Sequence, residues 1–159
     1  VIDIEKIKSG KEKVRGIIFS GGPASVYEKD SPTVDKAVFN LGIPILGICY
    51  GMQLITHLNG GKVEKAESRE FGKAILEVID GQNPLLSDIP KTSSIWMSHN
   101  DHITVLPDGF EIIAETDSSI AAITNNNGIY ALQFHPEVVH SECGTEIISN
   151  FIFNIFEQR

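Results

Sequence analysis

Cysteine is scarce in this chain, with two residues in 159, and two thiols cannot build the disulfide framework that braces small secreted domains. Nothing at the front resembles a secretory leader, so the sequence suits a reducing, cytoplasmic compartment. Long apolar runs are missing as well. The longest, residues 43–58, contains Pro44, Gln53 and His57 and is too short and too polar to span a bilayer, which argues against a membrane role. Basic residues are outnumbered, 13 Lys and Arg against 21 Asp and Glu, for a net charge of -8. Such a surface repels phosphate backbones, so nucleic acid is not an expected partner. The densest basic stretch, from Lys6 to Arg15, is broken by Glu12 and by apolar residues and reads as a solvated face. There is no repeat, low-complexity tract or linker. What remains is an ordinary globular composition, 42% hydrophobic and 21% charged, in a length that suits one domain able to bury its own core.

Within that length the apolar segments fall into an order. Residues 14–20 form a short apolar run ending in Gly21-Gly22-Pro23, the pattern of a buried parallel strand entering a tight loop. Ser31-Pro32-Thr33 has the form of a helix start. The spacing of Val34, Ala37, Val38 and Leu41 predicts a helix over residues 32–41, closed by Gly42. Residues 43–48 read as a second strand, with Pro44 at its start, where a missing N–H matters least. Cys49-Tyr50-Gly51 follows, then a helix over residues 52–59 closed by Gly60-Gly61. Two strand–loop–helix units in succession imply parallel strands covered by helices. The second half is richer in short β segments, at residues 62–67, 73–80, 93–97, 111–115, 120–124 and 129–134, with Asn125-Asn126-Asn127-Gly128 as a hairpin turn. Residues 142–156 are expected to form a terminal helix with Ile147, Ile148, Phe151, Ile152 and Phe156 inward. The expected fold is α/β, a three-layer open mixed sheet, mostly parallel and flanked by helices. Such sheets ordinarily begin with further strands, and an opening at Val1 fits a missing leading strand–helix–strand.

Three segments carry chemistry. Gly47-Ile48-Cys49-Tyr50-Gly51 has the form Gly-x-nucleophile-x-Gly between an apolar strand and a helix. A nucleophile on so tight a bend needs small neighbours, and the helix N-terminus beneath it is expected to lower the thiol pKa. A buried structural cysteine would give the same pentapeptide. Gln133-Phe134-His135-Pro136-Glu137 places a histidine at a strand end, with a carboxylate two residues on that can orient the ring. A surface loop could carry the same residues. Ser20-Gly21-Gly22-Pro23 can aim backbone N–H groups into a cleft, as an oxyanion hole requires. Each signal is weak alone. Together, at three strand ends, they describe an acyl-transfer site in the order nucleophile, base, orienting acid. The competing reading of His135, Glu137, His140 and Cys143 as metal ligands lacks the tight ligand pairs of zinc sites. His57 reads as a packed or solvated side chain and Cys143 as unreactive.

The run from Gly47 to Gln53, with Ser20-Gly21-Gly22-Pro23, Gln133 to Val138, His140 and Trp96-Met97-Ser98-His99-Asn100-Asp101, resembles the class I (triad) glutamine amidotransferases. Within them it is similar to the glutaminase domains of GMP synthetases. The resemblance covers residues 16–156 and implies a flavodoxin-like fold in a single amidotransferase domain spanning residues 1–159, truncated at its front. It implies that Cys49 attacks the side-chain amide of glutamine, that His135 moves the proton, and that Glu137 orients His135. Backbone N–H groups of Gly22 and Tyr50 would hold the oxyanion. Gln53 would lie near the substrate, and a loop of Ser98, Asn100 and Asp101 would hold its amino and carboxylate ends. Asn100 stands where many members have glycine, and asparagine tolerates positive φ better than most residues. No metal or cofactor is expected in this domain. ATP and magnesium would belong to a partner synthetase, an ATP-pyrophosphatase domain or subunit outside this chain, which would use the ammonia to turn xanthosine monophosphate into GMP.

Overall fold

A computed structural model of the chain describes residues 3–156. Seven strands form one sheet: β1 (Ile17–Phe19), β2 (Ile45–Ile48), β3 (Lys62–Val78), β4 (Thr92–Val105), β5 (Glu111–Glu115), β6 (Ile120–Thr124) and β7 (Ile129–Leu132), in the order β1-β2-β7-β6-β5-β3-β4. The helices are α1 (Ile4–Lys8), α2 (Tyr50–Leu58) and α3 (Gly144–Asn150). β2 and β7 are buried at every position, as strands covered on both faces must be. Alternate side chains enter two cores. Ile45, Ile129 and Ala131 pack with Met52, Leu54 and Ile55 of α2. Leu46, Tyr130 and Leu132 pack with Ile147 and Phe151 at the α3 end of the chain. The result is the expected arrangement of helix, mixed sheet and helix.

The strand balance differs from expectation. β1–β2 and β2–β7 are parallel, whereas β7–β6, β6–β5, β5–β3 and β3–β4 are antiparallel, so the sheet is not mostly parallel. The Asn125–Gly128 turn forces one reversal, with Asn126 at φ 53° and Gly128 at φ 93°. The expected strands at 62–67 and 73–80 are one strand, β3, paired with β4 along most of its length and irregular between Lys65 and Glu70. This long ribbon passes from one core to the other. Leu76, Val78, Ile95 and Met97 lie in the α3 core, and Val63 and Ile103 lie in the α2 core. Where it crosses, it carries residues 98–101 past the carboxyl ends of β2 and β7.

Two expected helices are shorter. Residues 32–41 give only a 3-10 turn, Lys36–Asn40, because Asp35 caps it by accepting from the Ala37 N–H at 2.8 Å and the Pro32 segment stays irregular. Gly42, at φ 68°, does close it. At the far end Glu142 is not helical, since its carboxylate accepts from the Ser94 N–H at 3.1 Å and ties the chain to β4. α3 then widens into a π turn, Phe151–Phe156, which turns Ile155 into the core and leaves Ile148 and Ile152 half-buried. The Phe156 side chain lies outside the described residues.

α2 packs closely on the strands under it. A Cβ on Gly51 would sit 2.1 Å from the Phe19 carbonyl oxygen, and one on Gly47 would sit 2.7 Å from the Gly51 backbone. Only glycines permit that approach. Gly51→Ala must therefore push α2 off β1, with an expected loss of about 3 kcal/mol in urea denaturation. A variant as stable as the parent would show that the helix is not seated this closely.

Candidate active site

The close seat of α2 dictates the geometry of the residue between the two glycines. Cys49 caps the helix with φ 52° and ψ -105°, a conformation that non-glycine residues avoid. Its N–H bonds the Leu132 carbonyl at 2.7 Å, which locks the bend to the end of β7. The same strand leads to His135, whose N–H bonds the Trp96 carbonyl of β4 at 3.1 Å. His135 Nδ1 lies 2.6 Å from Glu137 Oε1, and Pro136 between them stiffens the turn. Gly144 backs this turn closely, since a Cβ there would fall 1.9 Å from the Pro136 carbonyl oxygen.

Gly21 sits between the sulfur-bearing residue and the ring. A methyl group on it would lie 2.9 Å from His135 Cε1 and 3.6 Å from Cys49 Cβ. Gly22 adjoins Tyr50, whose Cβ and Cγ lie 3.9 Å from its virtual Cβ. The two backbones expected to supply oxyanion donors are thus neighbours. Tyr50 itself is buried, and its hydroxyl donates to the Pro32 carbonyl rather than to the cleft. Cys49, His135, Gly22, Gln53, Ser98, Asn100 and Asp101 all line one cleft of about 320 Å³. Glu137 stands behind the ring.

Residues 98, 100 and 101 are part of β4, not of a loop. Asn100 is exposed and has no positive φ, so no glycine-like freedom is used there. The buried Asp101 carboxylate is clamped by two hydroxyls, with Ser25 donating to Oδ2 at 2.5 Å and Tyr27 to Oδ1 at 2.8 Å. His99 is buried beside it, with Nδ1 2.8 Å from the Asp101 carbonyl and Nε2 2.9 Å from Glu70 Oε2. Although burial pushes Glu70 up, the Ser118 and Ser119 hydroxyls and His99 hold its carboxyl below the ordinary value. Ser25, Tyr27 and Glu70 are not among the expected site residues, whereas His99 lies within the expected Ser98–Asp101 segment. Nothing in their spacing pairs them with partners up to 76 residues away.

The thiol corrects an expectation. Burial pushes Cys49 from 9.0 up to about 11, and the nearby charges of Glu137 and Asp101 add to this, while the Tyr50 N–H and the Gln133 side chain pull the other way. The helix N-terminus does act as expected but loses to desolvation. The protonated thiol faces the Ser98 carbonyl at 3.6 Å. His135 lines the same cleft as this thiol. His140 stacks on Trp96 at 4.8 Å, His57 is exposed, and among the described residues no three His, Cys, Asp or Glu side chains converge as metal ligands.

A family model described as glutamine amidotransferase class-I matches residues 2–155. The GMP synthase [glutamine-hydrolyzing] of Fusobacterium nucleatum is 55% identical over 154 residues, covering 96% of this chain and 30% of that protein. Its counterpart in Staphylococcus aureus is 50% identical over 158 residues, covering 98% and 30%. The chain thus spans about 30% of the length of these relatives. A solved structure of a provisional GMP synthase component from Thermoplasma acidophilum matches with TM-score 0.80 and 33% identity, over 94% of this chain and 76% of that one. A glutamine amidotransferase from Thermotoga maritima shares the fold, with TM-score 0.66 at 20% identity, over 89% of this chain and 63% of that one. Among the described residues no helix is long and apolar enough to cross a membrane.

The raised thiol has a consequence for stability. Its folded value lies above its unfolded one, so its contribution is fully present below pH 9 and is lost as pH rises toward about 11. Denaturation of wild type and Cys49→Ala across this window should show a steeper alkaline loss in wild type. Parallel curves would mean that the thiol is not held in its neutral form.

Proposed function

Because the chain belongs to the glutamine amidotransferase class-I family, we propose that it hydrolyses glutamine to glutamate and ammonia through a thioester on Cys49. The observation that carries this reading is the strained cysteine at the head of α2, separated from His135 by Gly21, with Glu137 2.6 Å behind the ring. His135 takes the thiol proton, and the sulfur attacks the carboxamide carbon. The N–H groups of Gly22 and Tyr50 stabilise the oxyanion. His135 then returns the proton to the departing ammonia, and water, deprotonated by the same ring, releases glutamate. Glu137 accepts from Nδ1–H, so that Nε2 is the basic nitrogen and the imidazolium is stabilised as it forms.

Substrate orientation falls to β4. Among the described residues Asp101 is the one carboxylate lining the cleft, and its charge suits the α-ammonium of glutamine. Ser98, Asn100 and Gln53 supply polar contacts around the remaining end. The ammonia serves amination of xanthosine monophosphate to GMP by an ATP-pyrophosphatase domain or subunit, where ATP and magnesium belong. The names of relatives 55% and 54% identical to this chain support that assignment.

Glutamate release should fall at least about 10³-fold in Cys49→Ala. With the synthetase partner present, the same variant should lose glutamine-dependent GMP formation and keep the ammonia-dependent reaction. Unchanged glutamate release would remove Cys49 from the mechanism. Glu137→Gln should lower kcat roughly ten- to a hundred-fold with little change in KM, because it disturbs the ring and not the substrate contacts. A change confined to KM would reassign Glu137 to binding.

A further inference from the structure

Gln133 is buried to 1% exposure at the end of β7, and its side-chain Nε2 has no hydrogen-bond partner. Leaving such a donor unmatched is costly and asks for an explanation. Its orientation is fixed by a neighbour. Gln53 Nε2 donates to the Asp101 carbonyl at 3.1 Å and to Gln133 Oε1 at 3.4 Å. Turning the Gln133 amide over would set two N–H donors against each other, so the oxygen stays on Gln53 and the nitrogen faces the other way. Cys49 lies alongside: its N–H bonds the carbonyl of Leu132, the residue before Gln133, at 2.7 Å, and the Gln133 side chain favours the charged form of the thiol.

Building on the glutaminase reading above, we infer that Gln133 is a further catalytic residue whose amide N–H stabilises the Cys49 thiolate. The neutral thiol spends its proton on the Ser98 carbonyl at 3.6 Å and is a poor acceptor, so the amide is left over in the resting state. When the proton passes to His135, the sulfur becomes an anion and a strong acceptor, and the waiting donor closes on it. The other charged and titratable groups facing the sulfur are His135 and Glu137 beyond β7 and Asp101 on β4. The first turn of α2 holds no acid, and Ser20 to Pro23 carry no charge. The two carboxylates oppose the thiolate, and the Gln133 amide and the Tyr50 N–H offset them. Gln53 acts at one remove, as a positioning residue that sets which end of the amide meets the sulfur.

The test is a pH titration of the Cys49 ¹³Cβ shift in cysteine-labelled protein, in wild type, Gln133→Leu and Gln133→Glu, with Cys143 replaced by serine. It needs no glutamine, so it stands apart from the turnover assays that test the glutaminase reading. The midpoint should rise by about one pH unit in Gln133→Leu and further in Gln133→Glu, where a carboxylate replaces the donor. Iodoacetamide alkylation of Cys49 at pH 8.5 should slow in the same order, about tenfold at the first step. A loss of packing alone would not produce this ordering by charge. Midpoints equal to wild type in both variants would overturn the inference. Should neither variant fold, the wild-type Gln133 side-chain amide protons must move downfield with the midpoint of the cysteine titration. Amide signals indifferent to thiolate formation would overturn it equally.

Discussion

The contact between α2 and the backbone of β1 and β2 is the constraint from which the site follows. Gly47 and Gly51 let helix and strands approach to a separation at which no side chain fits between them. The chain must then turn from strand to helix within one residue, and Cys49 takes up the positive φ that results. That strained conformation is sustained by the Leu132 hydrogen bond and by a helix buried from Tyr50 to Thr56. The sulfur is consequently fixed at the carboxyl ends of three adjacent parallel strands, where the chain after β1 brings Gly21 and the chain after β7 brings His135.

Around this fixed point the rest of the molecule acts as support. The β3–β4 ribbon runs from one core to the other and contributes one wall of the cleft. Hydroxyls of Ser25 and Tyr27 tie that wall, through Asp101, to the glycine-bearing segment after β1. Electrostatics set the division of labour. Desolvation keeps the thiol neutral at rest, and in the proposed reaction His135 and nearby donors must therefore offset that burial. A nucleophile that ionises only on demand suits a cleft whose substrate must be in place before attack.

Much of this was readable in the sequence because it is local. Glycines on both sides of a cysteine, a histidine and glutamate two apart, and apolar runs of strand length all report on their neighbours in the chain. The hairpin at 125–128 was plain for the same reason. The errors lie where distant partners decide. The antiparallel majority of the sheet depends on β3 and β4 merging into one long ribbon, and Ser98 to Asp101 became strand because β3 lies opposite them. Glu142 left its helix to cap a backbone N–H of β4. The Asp101 clamp and the Gln133 amide each depend on residues far apart in the chain, which no spacing rule connects. The thiol shift turned on burial, which a motif does not disclose.

The central claim is that Cys49 is a nucleophile made reactive by His135. The most direct measurement is to treat the protein with a diazoketone analogue of glutamine and locate the adduct by peptide mass spectrometry. A single adduct on Cys49, absent from Cys143 and lost in His135→Ala, is the expected result. Labelling of Cys143 instead, or equal labelling of Cys49 with and without His135, would contradict the account.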